Sequence, residues 1–94
     1  MGGEVAHARF QPAPDTAVEQ LGDEVVLIHL STDRLFLLNR TGARIWRLLA
    51  DGHALTDIER QLVGDFEATR NEVAADVRSL LESLQREQLI TPDD

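Results

Sequence analysis

Ninety-four residues make one domain, too small for a deep cleft in which several catalytic groups converge. Hydrophobic residues are 43% and charged residues 28%, ordinary for a soluble globular chain. The formal charge of −8 opposes nucleic-acid binding, which draws its affinity from Lys and Arg neutralising phosphates.

The charge is uneven. Residues 1–50 hold six acids against five arginines, and residues 51–94 hold eleven acids against four. The second half therefore carries −7 of the total and favours basic partners. There is no cysteine, which excludes disulfides and thiolate chemistry. No apolar run approaches the roughly 20 residues that span a bilayer, and the N-terminus lacks a secretory apolar region. The expectation is a cytoplasmic protein without a membrane partner.

In chain order, residues 1–14 contain Gly2, Gly3, Pro12 and Pro14 and read as a mobile arm ending in a short extended piece. Residues 15–91 form the expected domain. Ala17–Leu21 reads as a short strand closed by the turn pair Gly22-Asp23. Val25–Leu30 is nearly continuously apolar and β-branched, the pattern of a central strand with both faces covered. After the turn residues Ser31-Thr32-Asp33, Arg34–Leu38 resumes the apolar run, predicting an antiparallel hairpin and a three-stranded meander.

The period then becomes helical. Ile45, Trp46, Leu48 and Leu49 follow Thr41 as N-cap, and the run stops at Asp51-Gly52. A second helix opens at Thr56-Asp57-Ile58-Glu59, a capping-box pattern, with Ile58, Leu62, Val63 and Phe66 as its stripe. A third, longer helix opens at Thr69-Arg70-Asn71-Glu72, with Val73, Val77, Leu80, Leu81 and Leu84 as its stripe. Leu89 and Ile90 pack the end, before Pro92 and a loose acidic tail. Strands followed by helices predict an α+β fold.

Catalytic chemistry finds little footing. His7, His29 and His53 lack helical partners at metal-ligand spacing, and His29 reads as a partly buried histidine with a local hydrogen bond. The carboxylates are accounted for by helix caps, helix ends and solvated faces. Ser31, Ser79 and Ser83 sit in no nucleophile elbow. No catalytic residue, metal or cofactor is expected. Trp46 reads as the central core residue.

What remains is the edge strand Arg34–Leu38 beside the third helix. A hydrophobic edge offers unpaired N–H and C=O groups to another chain. It is covered by the C-terminal segment or a second copy, or it is left open for a peptide to add as a further strand.

Val25 to Ile90 resembles the PqqD-like family, also called RiPP recognition elements. The resemblance lies in the hydrophobic hairpin, Leu38-Asn39, the run Thr41-Gly42-Ala43-Arg44-Ile45-Trp46-Arg47-Leu48-Leu49, then Gly52, Thr56-Asp57-Ile58, Phe66, Asp76-Val77 and the closing Leu84, Leu89 and Ile90. It implies a winged helix-turn-helix-like fold that binds the leader of a ribosomally made precursor peptide as an added antiparallel strand. Carried over, the groove is Arg34, Leu35, Phe36, Leu37 and Leu38 facing Val73, Asp76, Val77 and Leu80. The Asn39–Leu49 stretch is most similar to stand-alone modules of lasso-peptide pathways, which present the leader to a separate peptidase working alongside a cyclase. The alternative within the family is a chaperone for a radical-SAM or other modifying enzyme. The rival from another class is a winged-helix DNA-binding protein, for which the second helix offers Arg60 and Gln61 against Asp57, Glu59 and Asp65.

Overall fold

The computed structural model describes residues 9–66 and 68–93, with the side chain of Phe66 outside the described set. The elements are β1 (Phe10–Pro12), β2 (Thr16–Leu21), β3 (Glu24–His29), β4 (Arg34–Leu38), α1 (Arg40–Ala50), α2 (Leu55–Phe66), α3 (Arg70–Arg86) and β5 (Ile90–Pro92). The architecture is α+β, as the sequence predicts.

The sheet β2-β3-β4 is antiparallel throughout. Leu21 faces Glu24 across the first turn, with Gly22 at a positive φ of 61° that suits glycine. His29 faces Arg34 across the second turn, where Asp33 takes the left-handed conformation and donates its N–H to the His29 carbonyl at 2.8 Å.

A separate two-stranded sheet pairs β1 with β5, Phe10 opposite Pro92 and Pro12 opposite Ile90. The extended piece expected at the end of the 1–14 arm thus lies at Phe10–Pro12; residues 1–8 of that arm fall outside the described residues. Ile90–Pro92 is strand, and Asp93, where the loose acidic tail is expected to begin, donates its N–H to the Arg9 carbonyl at 2.9 Å; Asp94 lies outside the described residues. This pairing uses the C-terminal segment at β1, away from β4.

The core lies between one sheet face and the helices. Leu27, Ile45, Leu49, Ile58, Leu62, Val77 and Leu89 are almost completely enclosed, and Trp46 is 4% exposed. The other face of the sheet corrects the expectation of a strand covered on both sides. Val26 and Ile28 are only half-buried, and Leu35 and Leu37 beside them are exposed. His29 is buried rather than partly so, and the expected local hydrogen bond does not form at Nδ1, which has no partner.

Helix starts follow local cap chemistry. Asn39, not Thr41, caps α1: its Oδ1 accepts the Gly42 N–H at 2.9 Å. Both are cap-forming types, and Thr41 is left at the second helical position, within the first turn. Helix α2 begins at Leu55, so Thr56 is already helical rather than the cap. Helix α3 forms the expected capping box, with Thr69 Oγ1 accepting the Glu72 N–H at 3.1 Å and Glu72 Oε1 accepting the Thr69 N–H at 3.0 Å.

Candidate functional site: the β4 edge and the α3 groove

Strand β4 is the last of its sheet, and no strand among the described residues pairs with its outer edge. Strand β2 is the other edge, but it carries Glu19 and Gln20, the polar protection usual for exposed edges. Four of the five residues of β4 are apolar.

Successive side chains of a strand point to opposite faces. Arg34, Phe36 and Leu38 fall on the face that meets the helices: Leu38 is buried and Phe36 is half-buried against the core. Leu35 and Leu37 fall on the open face, at 67% and 63% exposure. The five residues of the predicted groove wall therefore divide between two faces, and only the backbone of the whole strand is presented along the edge.

Beside that edge is a cavity of about 460 Å³. It is lined by Leu37, Leu38, Asn39, Thr41, Gly42 and Ile45 on one side and by Asp76, Ser79, Leu80 and Ser83 of α3 on the other. A volume of this size lies within the range of sites that take a ligand of several groups. Of the predicted α3 residues, Asp76 and Leu80 line it. Val73 lines a neighbouring cavity, and Val77 is fully buried in the core behind the groove wall.

Sequence reading missed Ser79 and Ser83. The signal was available, since residues 76, 79, 80 and 83 recur at helical spacing and share one face. Asn39, Thr41 and Gly42 were also missed as lining residues. Gly42 fits because a Cβ there meets the Leu38 Cβ at 3.3 Å and Asn39 Oδ1 at 3.4 Å, so α1 starts tightly against the end of β4.

At the far end, the two walls are joined. Arg34 Nη1 donates to Glu87 Oε1 at 2.7 Å, and its guanidinium carbon lies 5.3 Å from the centroid of the Phe36 ring. The arrangement can hold an extended chain: backbone donors and acceptors on one side, an apolar floor, and hydroxyl, amide and carboxylate groups at the rim. Among the described residues, no cluster of three or more His, Cys, Asp or Glu could hold a metal. No helix of the described residues is long and apolar enough to cross a membrane. The two side chains that a recognition helix would need are engaged locally, Arg60 with Asp57 at 3.4 Å and Gln61 with Arg44 at 3.4 Å.

A family profile, coenzyme PQQ synthesis protein D (PqqD), matches residues 24–90, well over half of the chain. The chain belongs to the PqqD family. Two solved structures resemble this PqqD-family chain over most of its length. TbiB1 in complex with the TbiA(beta) leader peptide is 31% identical, with a TM-score of 0.81 over 85% of this chain and 93% of that one. Lasso peptide synthetase B1 complexed with the leader peptide is 29% identical, with a TM-score of 0.83 over 90% of this chain and 100% of that one. No curated protein sequence matches the chain.

Proposed function

We propose that this protein binds the leader segment of a ribosomally made precursor peptide by strand addition at β4, and carries it to a separate processing enzyme. The observation that carries this reading is the unpaired edge of Arg34–Leu38 lying against a 460 Å³ cavity walled by α3. The two similar structures are both of leader-peptide complexes, which supports it.

The energetics say what the site must supply. Ordering a peptide costs about 1–2 kcal/mol per residue, and each ladder hydrogen bond returns only about 0.5–1.5 kcal/mol. Backbone pairing alone loses. Peptide side chains buried beside Leu38, Ile45 and Leu80, at about 1.5–3 kcal/mol each, make up the difference. The strand sets the register and the cavity sets the sequence.

All strands of the host sheet are antiparallel, and the guest continues that pattern, its N-terminal end opposite Leu38 and its C-terminal end opposite Arg34. The guest's side chains then alternate between the groove and the open face that carries Leu35 and Leu37. Binding, with no chemistry of its own, is the role of this chain. A leader peptidase working beside a cyclase in lasso-peptide assembly is the proposed recipient, and a radical-SAM modifying enzyme is the alternative.

The test is selection of random 18-residue peptides by messenger-RNA display on the immobilised protein, followed by fluorescence anisotropy of the winners. Ser79 is exposed and lines the cavity, so Ser79→Trp plugs the groove while leaving the fold intact. Selected peptides should bind the wild type and lose at least tenfold in affinity to the variant. Unchanged affinity in a folded Ser79→Trp protein would place the site elsewhere.

A further inference from the structure

The groove does not end where β4 ends. Thr41 and Asp76 line the cavity beside β4 and also a second one of about 560 Å³, set between α2 and α3. The floor of the second cavity is apolar, with Leu62 and Val73 buried beneath it, and Glu72 and Asp76 stand at its mouth. On the strand-addition reading, a guest antiparallel to β4 has its N-terminal end at Leu38. The residues preceding its paired stretch therefore reach this second cavity first.

Among the described residues, the ion pairs leave the charge of Asp76 at this mouth unanswered. Glu72 and Asp76 are one helical turn apart, a spacing at which like charges destabilise a helix. Oε1 of Glu72 is taken up by Thr69, accepting its N–H at 3.0 Å and its hydroxyl at 3.1 Å, which leaves Oε2 outside the capping box. Arg34 pairs with Glu87, Arg44 with Asp65 and Arg60 with Asp57, so these three cations are engaged away from Asp76. An apolar floor under a carboxylate mouth suits one side-chain chemistry: a long aliphatic stem ending in a cation, as in Arg and Lys.

We infer that the leader carries an Arg or Lys on the N-terminal side of its β4-paired stretch, with the stem in the Leu62–Val73 cavity and the cation between Glu72 and Asp76. The basic flank then fixes the direction of the guest and excludes extended apolar peptides that lack it. The strand supplies the pairing, and the flank supplies discrimination.

The display selection, repeated on the double variant Glu72→Gln, Asp76→Asn, tests this. Gln at position 72 keeps the cap-forming side chain, and circular dichroism melting confirms that the variant folds. Wild-type protein should enrich peptides with an alternating apolar stretch and, at a fixed spacing on its N-terminal side, Arg or Lys. The double variant should enrich the same stretch without the basic preference. A winning peptide with that Arg replaced by Ala should bind the wild type about fivefold more weakly and the double variant unchanged. An apolar stretch with no basic preference, an aromatic residue at that spacing, or a basic preference kept by the double variant would overturn the inference while leaving strand addition intact. Failure to enrich any strand-like pattern, or winners insensitive to Ser79→Trp, would overturn both.

Discussion

Arg34 and Glu87, 53 positions apart, are joined at 2.7 Å and tie the start of β4 to the end of α3. The contact closes one end of the groove and leaves the Leu38 end open. Its side chains are 60% and 25% exposed, so its stabilising effect is small and falls with added salt. A double-mutant cycle with Arg34→Ala and Glu87→Ala, read by urea denaturation, should give a coupling of about 0.2–1 kcal/mol at low salt. A coupling well above that would make the clasp a main support of the fold.

Trp46 tests where the core sits. It is 4% exposed in the cluster with Ile45, Leu49 and Leu62. Trp46→Ala should cost about 3–5 kcal/mol, a large share of the roughly 5–15 kcal/mol that holds a typical domain together. A melting temperature unchanged by the substitution would move Trp46 to the surface.

Among the described residues, His29 is the buried polar exception. Its Nδ1 has no hydrogen-bond partner, and an unsatisfied buried polar group costs about 1–3 kcal/mol. His29→Leu should therefore leave stability equal or raise it by about 1 kcal/mol in urea titrations. Marked destabilisation would mean that the imidazole holds a partner in solution.

Glu72 gives the pH dependence a sign. Hydrogen bonds from the backbone and then the side chain of Thr69 hold its carboxyl below the ordinary glutamate value of 4.5. A carboxylate lowered in the folded state stabilises above its unfolded pKa, and that contribution is lost as pH falls through the folded value. The stability advantage of the wild type over Glu72→Gln should be flat at neutral pH and shrink in acid below about 4.5. A constant difference from pH 7 to pH 3 would contradict the capping-box account.

The legible parts of this fold are those where periodicity or cap chemistry acts alone. Strand β4 falls on Arg34–Leu38 as read, and the Thr69–Glu72 capping box opens α3 as read. Strands β1 and β5 have three residues each, too short for alternation to register, and each exists only because the other is beside it. At α1, Asn39 and Thr41 are both good caps, and the close fit of Gly42 against Leu38 goes with the earlier start. In β3 the run Val25–Ile28 is apolar on both faces, but the helices cover only one. In the candidate site, Val73, Val77 and Leu80 share one apolar stripe, and only packing decides that Val77 is sealed while Leu80 meets the groove.

Amide hydrogen exchange followed by NMR tests the open ribbon most directly. In the free protein, alternate N–H groups of residues 34–38 should exchange nearly as fast as in an unfolded chain, while their neighbours, bonded to β3, are protected. Saturation with a display-selected peptide should protect the fast set. Slow exchange at every β4 amide before any peptide is added would mean that the edge is already occupied, and the account would be wrong.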